Sequence, residues 1–96
     1  MELKKTLVIV SGYFNPIHSG HIEYFVNSKE KGDLLLAIIN NDLQRKLKGS
    51  SEFMNETERE FIVSKIKPVD FTFISIDNDK TVAKSIEFLN KKYHNK

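Results

Sequence analysis

Three short apolar runs divide the chain at nearly regular intervals. They consist mainly of leucine, isoleucine, valine and phenylalanine and occupy residues 7–10, 34–39 and 69–76. The first two runs are continuous, which is typical of parallel strands that are covered on both faces. The third alternates more between apolar and polar residues, and this alternation predicts a strand near an edge of the sheet.

Helix patterns follow the apolar runs. The first starts at Ser19 or Gly20, and Gly32 is expected to be the glycine that terminates it. The second starts at Asn55, whose spacing from Glu58 resembles a capping box, and it must end before the following proline. The third is amphipathic, with spacings of four, three and four residues between Val82, Ile86, Leu89 and Tyr93.

Strand and helix thus alternate three times along the chain. Because a βαβ unit needs about 30 residues or more, this order predicts an α/β fold: a Rossmann-like parallel sheet with flanking helices, built from three βα units. Residues 43–54 are the longest stretch without a periodic pattern and are predicted to form an irregular polar loop. The sequence contains no internal repeat or interdomain linker, so we expect residues 1–96 to form a single domain.

The composition agrees with a small globular domain and removes several kinds of chemistry. Of the 96 residues, 40% are apolar and 29% are charged, as is usual for a folded domain. The lack of cysteine excludes disulfides and thiolate sites, and a net charge of +2 does not favour nucleic-acid binding. No apolar run approaches the roughly 18 residues that span a bilayer, and the start does not resemble a signal peptide. We therefore expect a cytoplasmic protein with no nucleic-acid or membrane partner.

The segment after the first apolar run carries the strongest chemical signal. Residues 11–21 read SGYFNPIHSGH, and ligands of open parallel sheets bind beyond the carboxyl ends of the strands. His18 and His21 are three residues apart at a predicted helix start, so both imidazoles can face one ligand. The free N–H groups of that helix start are suited to an anion. This combination predicts a phosphate-binding site.

Other interpretations of the histidines remain open. A histidine near a helix start is commonly a cap or a solvated side chain. Two histidines can also be metal ligands, but no third ligand lies nearby in the sequence, so we expect no metal held by the protein. His94, in the basic tail, is expected on the surface. The dinucleotide-binding and Walker A motifs are absent, which disfavours hydride transfer and P-loop hydrolysis.

Residues 12–21 resemble the G-x-F-[DN]-x-x-H-x-G-H motif of the cytidylyltransferase-like nucleotidyltransferases. Residues 39–42 and 46–49 are similar to the V-N-D-D and K-x-L-K-G segments of its sugar-phosphate adenylyltransferase branch, and the glycerol-phosphate cytidylyltransferases are a further similar branch. The resemblance extends from Val8 to about Leu89. It includes an N-x-x-E-R helix start formed by Asn55, Glu58 and Arg59.

The resemblance implies that CMP or AMP is transferred from CTP or ATP to a polyol phosphate or sugar phosphate, with release of pyrophosphate. It implies that His18, His21 and Lys46 are catalytic and that Mg²⁺ accompanies the nucleotide. Such a reaction depends on positioning and charge stabilisation and needs no covalent nucleophile. The nucleotide-binding residues that it implies are Gly12, Tyr13, Phe14, Asn15, Ser19, Gly20, Asn41, Asp42, Lys48 and Arg59.

Some of these residues have a second interpretation that does not involve a ligand. Lys46 and Lys48 lie in the predicted loop and are equally well explained as solvated side chains. Arg59 lies among glutamates at a helix start and can simply pair with them. Asn15 stands where the nearest branches commonly have aspartate, so it keeps the hydrogen-bonding capacity and lacks the charge.

Family members continue into a further strand and into a helix start that contains I-S-T-T, and this sequence contains neither segment. We therefore expect the phosphate-binding half of a site here, without the half that selects the base. Three functions remain open: a nucleotidyltransferase completed by further residues or a second chain, a module that binds nucleotide without catalysis, and a structural fragment that pairs through its sheet edge. A homodimer is expected in each case, since a sheet of half size leaves apolar surface to cover.

Overall fold

The computed structural model describes residues 6–49, 54–79 and 81–94. Three strands and four helices lie within these ranges. In chain order they are β1 (Leu7–Gly12), α1 (Ser19–Lys29), β2 (Leu34–Ile39), α2 (Asp42–Lys48), α3 (Glu56–Ser64), β3 (Phe71–Ile74) and α4 (Ala83–His94). The strands form one parallel sheet in the order β1-β2-β3, which confirms the predicted Rossmann-like α/β fold.

The central strand β2 separates two apolar clusters. Because successive side chains of a strand point to opposite faces, a strand covered on both sides needs an apolar residue at every position, which explains its continuous run. One cluster contains Leu35, Ala37 and Ile39 of β2 with Phe25 of α1 and Val63 of α3. The other contains Leu36 and Ile38 of β2 with Leu89 of α4. Helices α1 and α3 thus cover one face, and α4 covers the other.

The strand β3 pairs only with β2 in the described sheet, so its position at an edge agrees with the alternating sequence pattern. It is shorter than the predicted run and covers four residues. Val82 and Leu89 of the predicted α4 stripe pack against the second cluster. The side chains of Tyr93 and His94 lie outside the described part of the structure.

The prediction of an irregular stretch over residues 43–54 is wrong for its first part, which forms α2. Asn41 caps this helix: its Oδ1 accepts the Gln44 N–H at 2.8 Å, and the Gln44 Oε1 accepts the Asn41 N–H at 2.8 Å. Gly49 ends the helix with a φ of 83°. The helix has only seven residues, and its two leucines are exposed although they are four positions apart, so no buried apolar face accounts for it.

The prediction that Gly32 terminates α1 is also wrong. The helix ends at Lys29, and its C-cap is Glu30, which has a right-handed conformation. A Cβ on Gly32 would lie 2.7 Å from the Val8 Cγ2 atom. This glycine therefore allows the chain to pass close to β1, which places the start of β2 beside it.

No helix within the described ranges has the length and apolar character needed to cross a membrane.

Candidate functional site

The two histidines of the motif lie at the start of α1, just beyond the carboxyl end of β1. His18 is the N-cap of the helix, and its Nδ1 accepts the Gly20 N–H at 3.1 Å. His21 completes a capping box, because its Nδ1 accepts the His18 N–H at 3.0 Å. The rings stack with their centroids 3.9 Å apart. The structure therefore brings the two imidazoles together, as their spacing predicts, and it also gives both of them a capping role.

These caps determine which nitrogen of each ring carries the proton. Since the Nδ1 atoms of His18 and His21 both accept a backbone N–H, the proton of each neutral ring lies on Nε2. Burial, and secondarily the nearby His18, lower the pKa of His21, which favours its neutral form. The turn thus presents two imidazole N–H donors side by side, an arrangement that suits phosphate oxygens.

The turn between β1 and α1 packs on the buried side chain of Phe14. This side chain is 2% exposed, and its ring packs edge-on against His21 with the centroids 5.0 Å apart. A Cβ on Gly12 would lie 2.7 Å from the Phe14 Cζ atom, so the glycine leaves room for the ring. The side chain of Phe14 belongs to the core, and its φ of 52° is unusual for a residue other than glycine. Gly12 and Phe14 therefore shape residues 13–21, the segment that carries both histidines and that we call the histidine turn.

Ser19 and Gly20 form the exposed first positions of α1. The Gly20 N–H, which the resemblance assigns to the nucleotide, donates to the His18 ring in this structure. A Cβ on Gly20 would lie 2.9 Å from the His18 Cε1 atom. Glycine at this position therefore lets the imidazole fold over the helix start.

The lysines of the predicted loop lie on the helix α2. Both Lys46 and Lys48 are exposed, and the Lys48 Nζ atom lies 4.5 Å from the centroid of the Tyr13 ring. The structure therefore brings Lys48 to the turn after β1. Side chains two residues apart on a helix do not face each other, so Lys46 does not share this direction.

The side chains of Asn41 and Asp42 hold α2 against its neighbours. The Asn41 Nδ2 atom donates to the Ser75 and Asp77 carbonyls at 2.9 and 2.8 Å. One Asp42 oxygen pairs with Arg59 at 2.7 Å, and the other accepts the Glu56 N–H at 3.3 Å. The structure thus shows protein partners for both residues, and their contact with nucleotide stays a prediction.

Arg59 is fully buried, which differs from both sequence interpretations of it. Its ion pair within the described residues is with Asp42 of α2, and not with a glutamate of its own helix. Its other donors reach carbonyl oxygens. The Nε atom donates to Met54 at 3.0 Å, and Nη1 donates to Tyr13 at 2.8 Å and to Asn40 at 2.7 Å. Direct contact with nucleotide is not what this arrangement provides, because every guanidinium nitrogen is already bonded to the protein.

Asn15 connects the histidine turn to the segment before α3. Its Oδ1 atom accepts the Met54 N–H at 3.0 Å. The Met54 carbonyl in turn accepts a hydrogen bond from the Arg59 Nε atom. The amide of Asn15 therefore performs a bridging role that does not require the charge of an aspartate.

A family model described as cytidylyltransferase-like matches residues 9–95. The chain belongs to the cytidylyltransferase-like family. This match includes the histidine turn, both loop lysines and Arg59, and so confirms the resemblance of the motifs.

Individual members of this family are similar to the chain over most of its length. It is 38% identical over 77 residues to an FAD synthase from Picrophilus torridus, which covers 78% of this chain and 55% of that protein. It is 39% identical over 67 residues to the bifunctional protein HldE from Blochmanniella pennsylvanica, covering 68% of this chain and 14% of that protein. The chain spans about half the length of the FAD synthases that it matches.

A solved structure supports the same assignment. The lipopolysaccharide core biosynthesis protein from Thermoplasma volcanium superposes with a TM-score of 0.79 and is 27% identical. The match covers 88% of this chain and 68% of that one. The cytidylyltransferase-like fold is therefore shared by a chain that is longer than this one.

Two buried polar side chains near the carboxyl edge of the sheet, Gln44 and Asp77, were not predicted from the sequence. Gln44 is fully buried, and its Nε2 atom donates to the Asp79 and Thr81 carbonyls at 2.8 and 2.6 Å. Asp77 accepts the Lys84 and Ser85 N–H groups at the start of α4. The spacing of Asn41 and Gln44 is that of a capping box, so the sequence indicated a role for Gln44. No pattern of neighbouring residues identifies Asp77.

Burial alone would raise the pKa of Asp77. Hydrogen bonds from the Ser85 hydroxyl, from the Lys84 and Ser85 N–H groups and from the Ser75 hydroxyl outweigh it and hold the pKa below its usual value. Asp77 is therefore a charged anchor for the loop between β3 and α4.

Proposed function

We propose that this chain is the triphosphate-binding part of a nucleotidyltransferase that transfers CMP or AMP from CTP or ATP to a phosphorylated small molecule. The observation that carries the proposal is the pair of stacked imidazoles, His18 and His21, whose Nδ1 atoms cap α1 and whose Nε2 atoms carry the protons. Membership of the cytidylyltransferase-like family supports the same reaction class.

In the proposed reaction, an oxygen of the acceptor phosphate attacks the α-phosphorus of the nucleotide. The new P–O bond forms as the bond to the β-phosphate oxygen breaks, and pyrophosphate leaves with the electron pair of that bond. Negative charge grows on the phosphate oxygens, and donors placed in advance stabilise it. His18 and His21 would donate from Nε2 to these oxygens, and their stacking on the rigid helix start would hold them in position.

The helix α2 would supply positive charge for the outer phosphates. Lys48 is held over the Tyr13 ring at 4.5 Å, close to the histidine turn, and an ammonium group suits a phosphate as a point charge. Lys46 is exposed on the same helix, and we propose that it reaches the triphosphate from a different direction. Either role should matter more for a triphosphate than for a monophosphate.

We propose that Mg²⁺ enters as a complex with the triphosphate and supplies charge neutralisation there. The residues present do not form a protein cage for it: both Asp42 oxygens are engaged, by Arg59 and by the Glu56 N–H. The described part of the chain contains no group of three or more His, Asp or Glu side chains placed to hold a metal ion.

The nucleotide base and the acceptor stay open in this proposal. The resemblance of residues 46–49 favours ATP and a sugar phosphate, whereas the broader family favours CTP and a polyol phosphate. A homodimer in the cytoplasm remains our prediction. The second candidate function is nucleotide binding without turnover, for which the same pair of imidazole donors would suffice.

The deciding experiment is calorimetric titration of CTP and ATP, each with Mg²⁺, into the protein and into His18→Asn. Asparagine is a good N-cap, so this variant keeps the helix start and removes the imidazole. We expect one nucleotide to bind and the variant to lose about tenfold or more in affinity, which corresponds to about 1.4 kcal/mol. His21→Gln is the matched variant, because glutamine at this position also completes a capping box.

Circular dichroism and thermal melting of both variants provide the control for folding. Equal affinity in the protein and both variants would contradict the proposed site. Lack of binding at millimolar nucleotide would contradict the proposal that this chain holds the triphosphate. Binding without pyrophosphate release, across a set of phosphorylated acceptors, would support the non-catalytic alternative.

A further inference from the structure

We infer that Arg59 is a positioning residue that sets the placement of the lysine-bearing helix α2 relative to the histidine turn. The inference rests on the proposed function, since the two elements would grip different parts of one triphosphate. Arg59 itself would not touch the nucleotide. Its side chain is fully buried, and its three nitrogens make four hydrogen bonds within the protein.

The four partners of Arg59 come from four separate segments. They are the turn after β1, the end of β2, the start of α2 and the residue before the α3 cap, represented by the Tyr13, Asn40 and Met54 carbonyls and by an Asp42 oxygen. The guanidinium group is planar and presents its donors in a rigid fork. Its four bonds therefore fix the relative positions of these segments and not only their proximity.

Each of these segments carries or supports a residue of the candidate site. Tyr13 stands five residues before His18 in the same turn. Its ring contacts the Lys48 ammonium group, and its hydroxyl donates to the Gln44 carbonyl of α2 at 3.4 Å. Arg59 binds the Tyr13 carbonyl and the Asp42 carboxylate, and thus joins the turn and α2 a second time, from inside the protein.

A purely hydrophobic side chain at this position would fill the space without ordering the segments. Burying a guanidinium group has a large desolvation cost, which is offset only when its geometry is good and its donors are satisfied. The three carbonyls and the carboxylate give every guanidinium nitrogen a hydrogen-bond partner. The arrangement is therefore suited to specifying geometry at the carboxyl edge of the sheet, where the proposed triphosphate would lie.

The test compares Arg59→Lys with Val63→Ala in the same protein. Lysine keeps the charge and lacks the fork, whereas Val63 is a fully buried residue one turn further along α3 whose side chain belongs to the apolar core. We measure affinity for ATP and AMP, or for CTP and CMP, with Mg²⁺. Arg59→Lys should lower the ratio of triphosphate to monophosphate affinity about tenfold. Val63→Ala should lower the melting temperature and leave the ratio unchanged.

An unchanged ratio of triphosphate to monophosphate affinity in Arg59→Lys would overturn the inference. An equal fall of this ratio in Val63→Ala would also overturn it, because the effect would then follow from lost stability. If Arg59→Lys does not fold, Arg59→Gln replaces it, because glutamine keeps a side-chain N–H donor and removes both the charge and the fork. The same fall of the ratio is then expected.

Amide hydrogen exchange tests the inference without nucleotide. The Met54 and Asp42 N–H groups are bonded to Asn15 and Glu56 beside the Arg59 cluster. Arg59→Lys should accelerate exchange at these two amides at least about tenfold more than in the central strand, and uniform acceleration would overturn the inference. Failure of the proposed function has a different signature, namely a parent protein that binds no nucleotide while these two amides respond as expected.

Discussion

Two polar regions meet at the carboxyl edge of the sheet, and they are built in opposite ways. In the histidine turn, hydrogen bonds join residues two and three positions apart near the surface. In the Arg59 cluster, they join residues up to 46 positions apart around a buried side chain. The first uses backbone groups to orient rings that keep a donor each, whereas in the second every guanidinium nitrogen donates to a protein acceptor. The comparison indicates that short-range caps present the binding groups and long-range buried contacts place them.

A third polar cluster sharpens this comparison, because Asp77 is buried like Arg59 but lies at the start of α4. Asp77→Ala should be the most destabilising change predicted here, at about 3 kcal/mol, since it removes a helix cap and leaves buried Ser75 and Ser85 without their carboxylate. Urea denaturation measures the loss. Asp79→Ala, at an exposed position in the same loop, is the matched control and should cost much less.

The pH dependence of stability follows from the same carboxylate. The pKa of Asp77 is lower in the folded protein than its usual value, so the unfolded chain takes up the proton first as the pH falls. The stabilisation is therefore complete above the unfolded pKa of about 4 and is lost below it. Asp77→Asn should show a smaller fall of unfolding free energy between pH 5 and pH 2, and an identical fall would mean that other groups account for it.

The floor of the histidine turn gives a smaller expected effect. Gly12→Ala places a methyl group against the Phe14 ring, where the distance would be 2.7 Å. We expect a loss of about 1–3 kcal/mol from overpacking, together with weaker nucleotide binding because Phe14 supports His21. The double variant Gly12→Ala with Phe14→Leu should recover part of the stability. If the single variant melts like the parent, the turn is more adaptable than the buried clusters.

The smallest effect is expected at the exposed lysines. Lys48→Ala should weaken triphosphate binding by about three- to tenfold, or roughly 1 kcal/mol, and should change monophosphate binding little. Lys46→Ala is the matched variant on the other side of α2. Calorimetry with triphosphate and with monophosphate measures the effect of each variant on both ligands. Equal weakening of triphosphate and monophosphate binding by Lys48→Ala would place this ammonium group away from the outer phosphates.

The parts of the site that could be predicted are those with local causes. The spacing of His18 and His21 sufficed to bring the rings together, because side chains three positions apart at a helix start lie on the same face. The helix α2 was missed although its capping residues, Asn41 and Gln44, were visible. A seven-residue helix that buries neither of its leucines depends on its contacts with the rest of the fold.

Arg59 shows where sequence reasoning was insufficient. Glutamates on either side of it suggested an exposed ion pair within one helix, and the family motif suggested a ligand contact. The structure buries it instead, because α3 turns this side chain toward three carbonyl groups and Asp42. Charge pattern along a helix does not reveal which neighbours the tertiary fold brings.

The sequence by itself determined the alternation of the three strands with α1, α3 and α4, the burial on both faces of a strand that is apolar throughout, and the convergence of two histidines at a helix start. All of these depend on periodicity and on interactions within a few residues. Only the tertiary structure decided that Arg59 and Gln44 are buried and that Lys48 lies over Tyr13. These placements depend on segments far apart in the chain meeting at one edge of the sheet, where a buried polar group must find its partners.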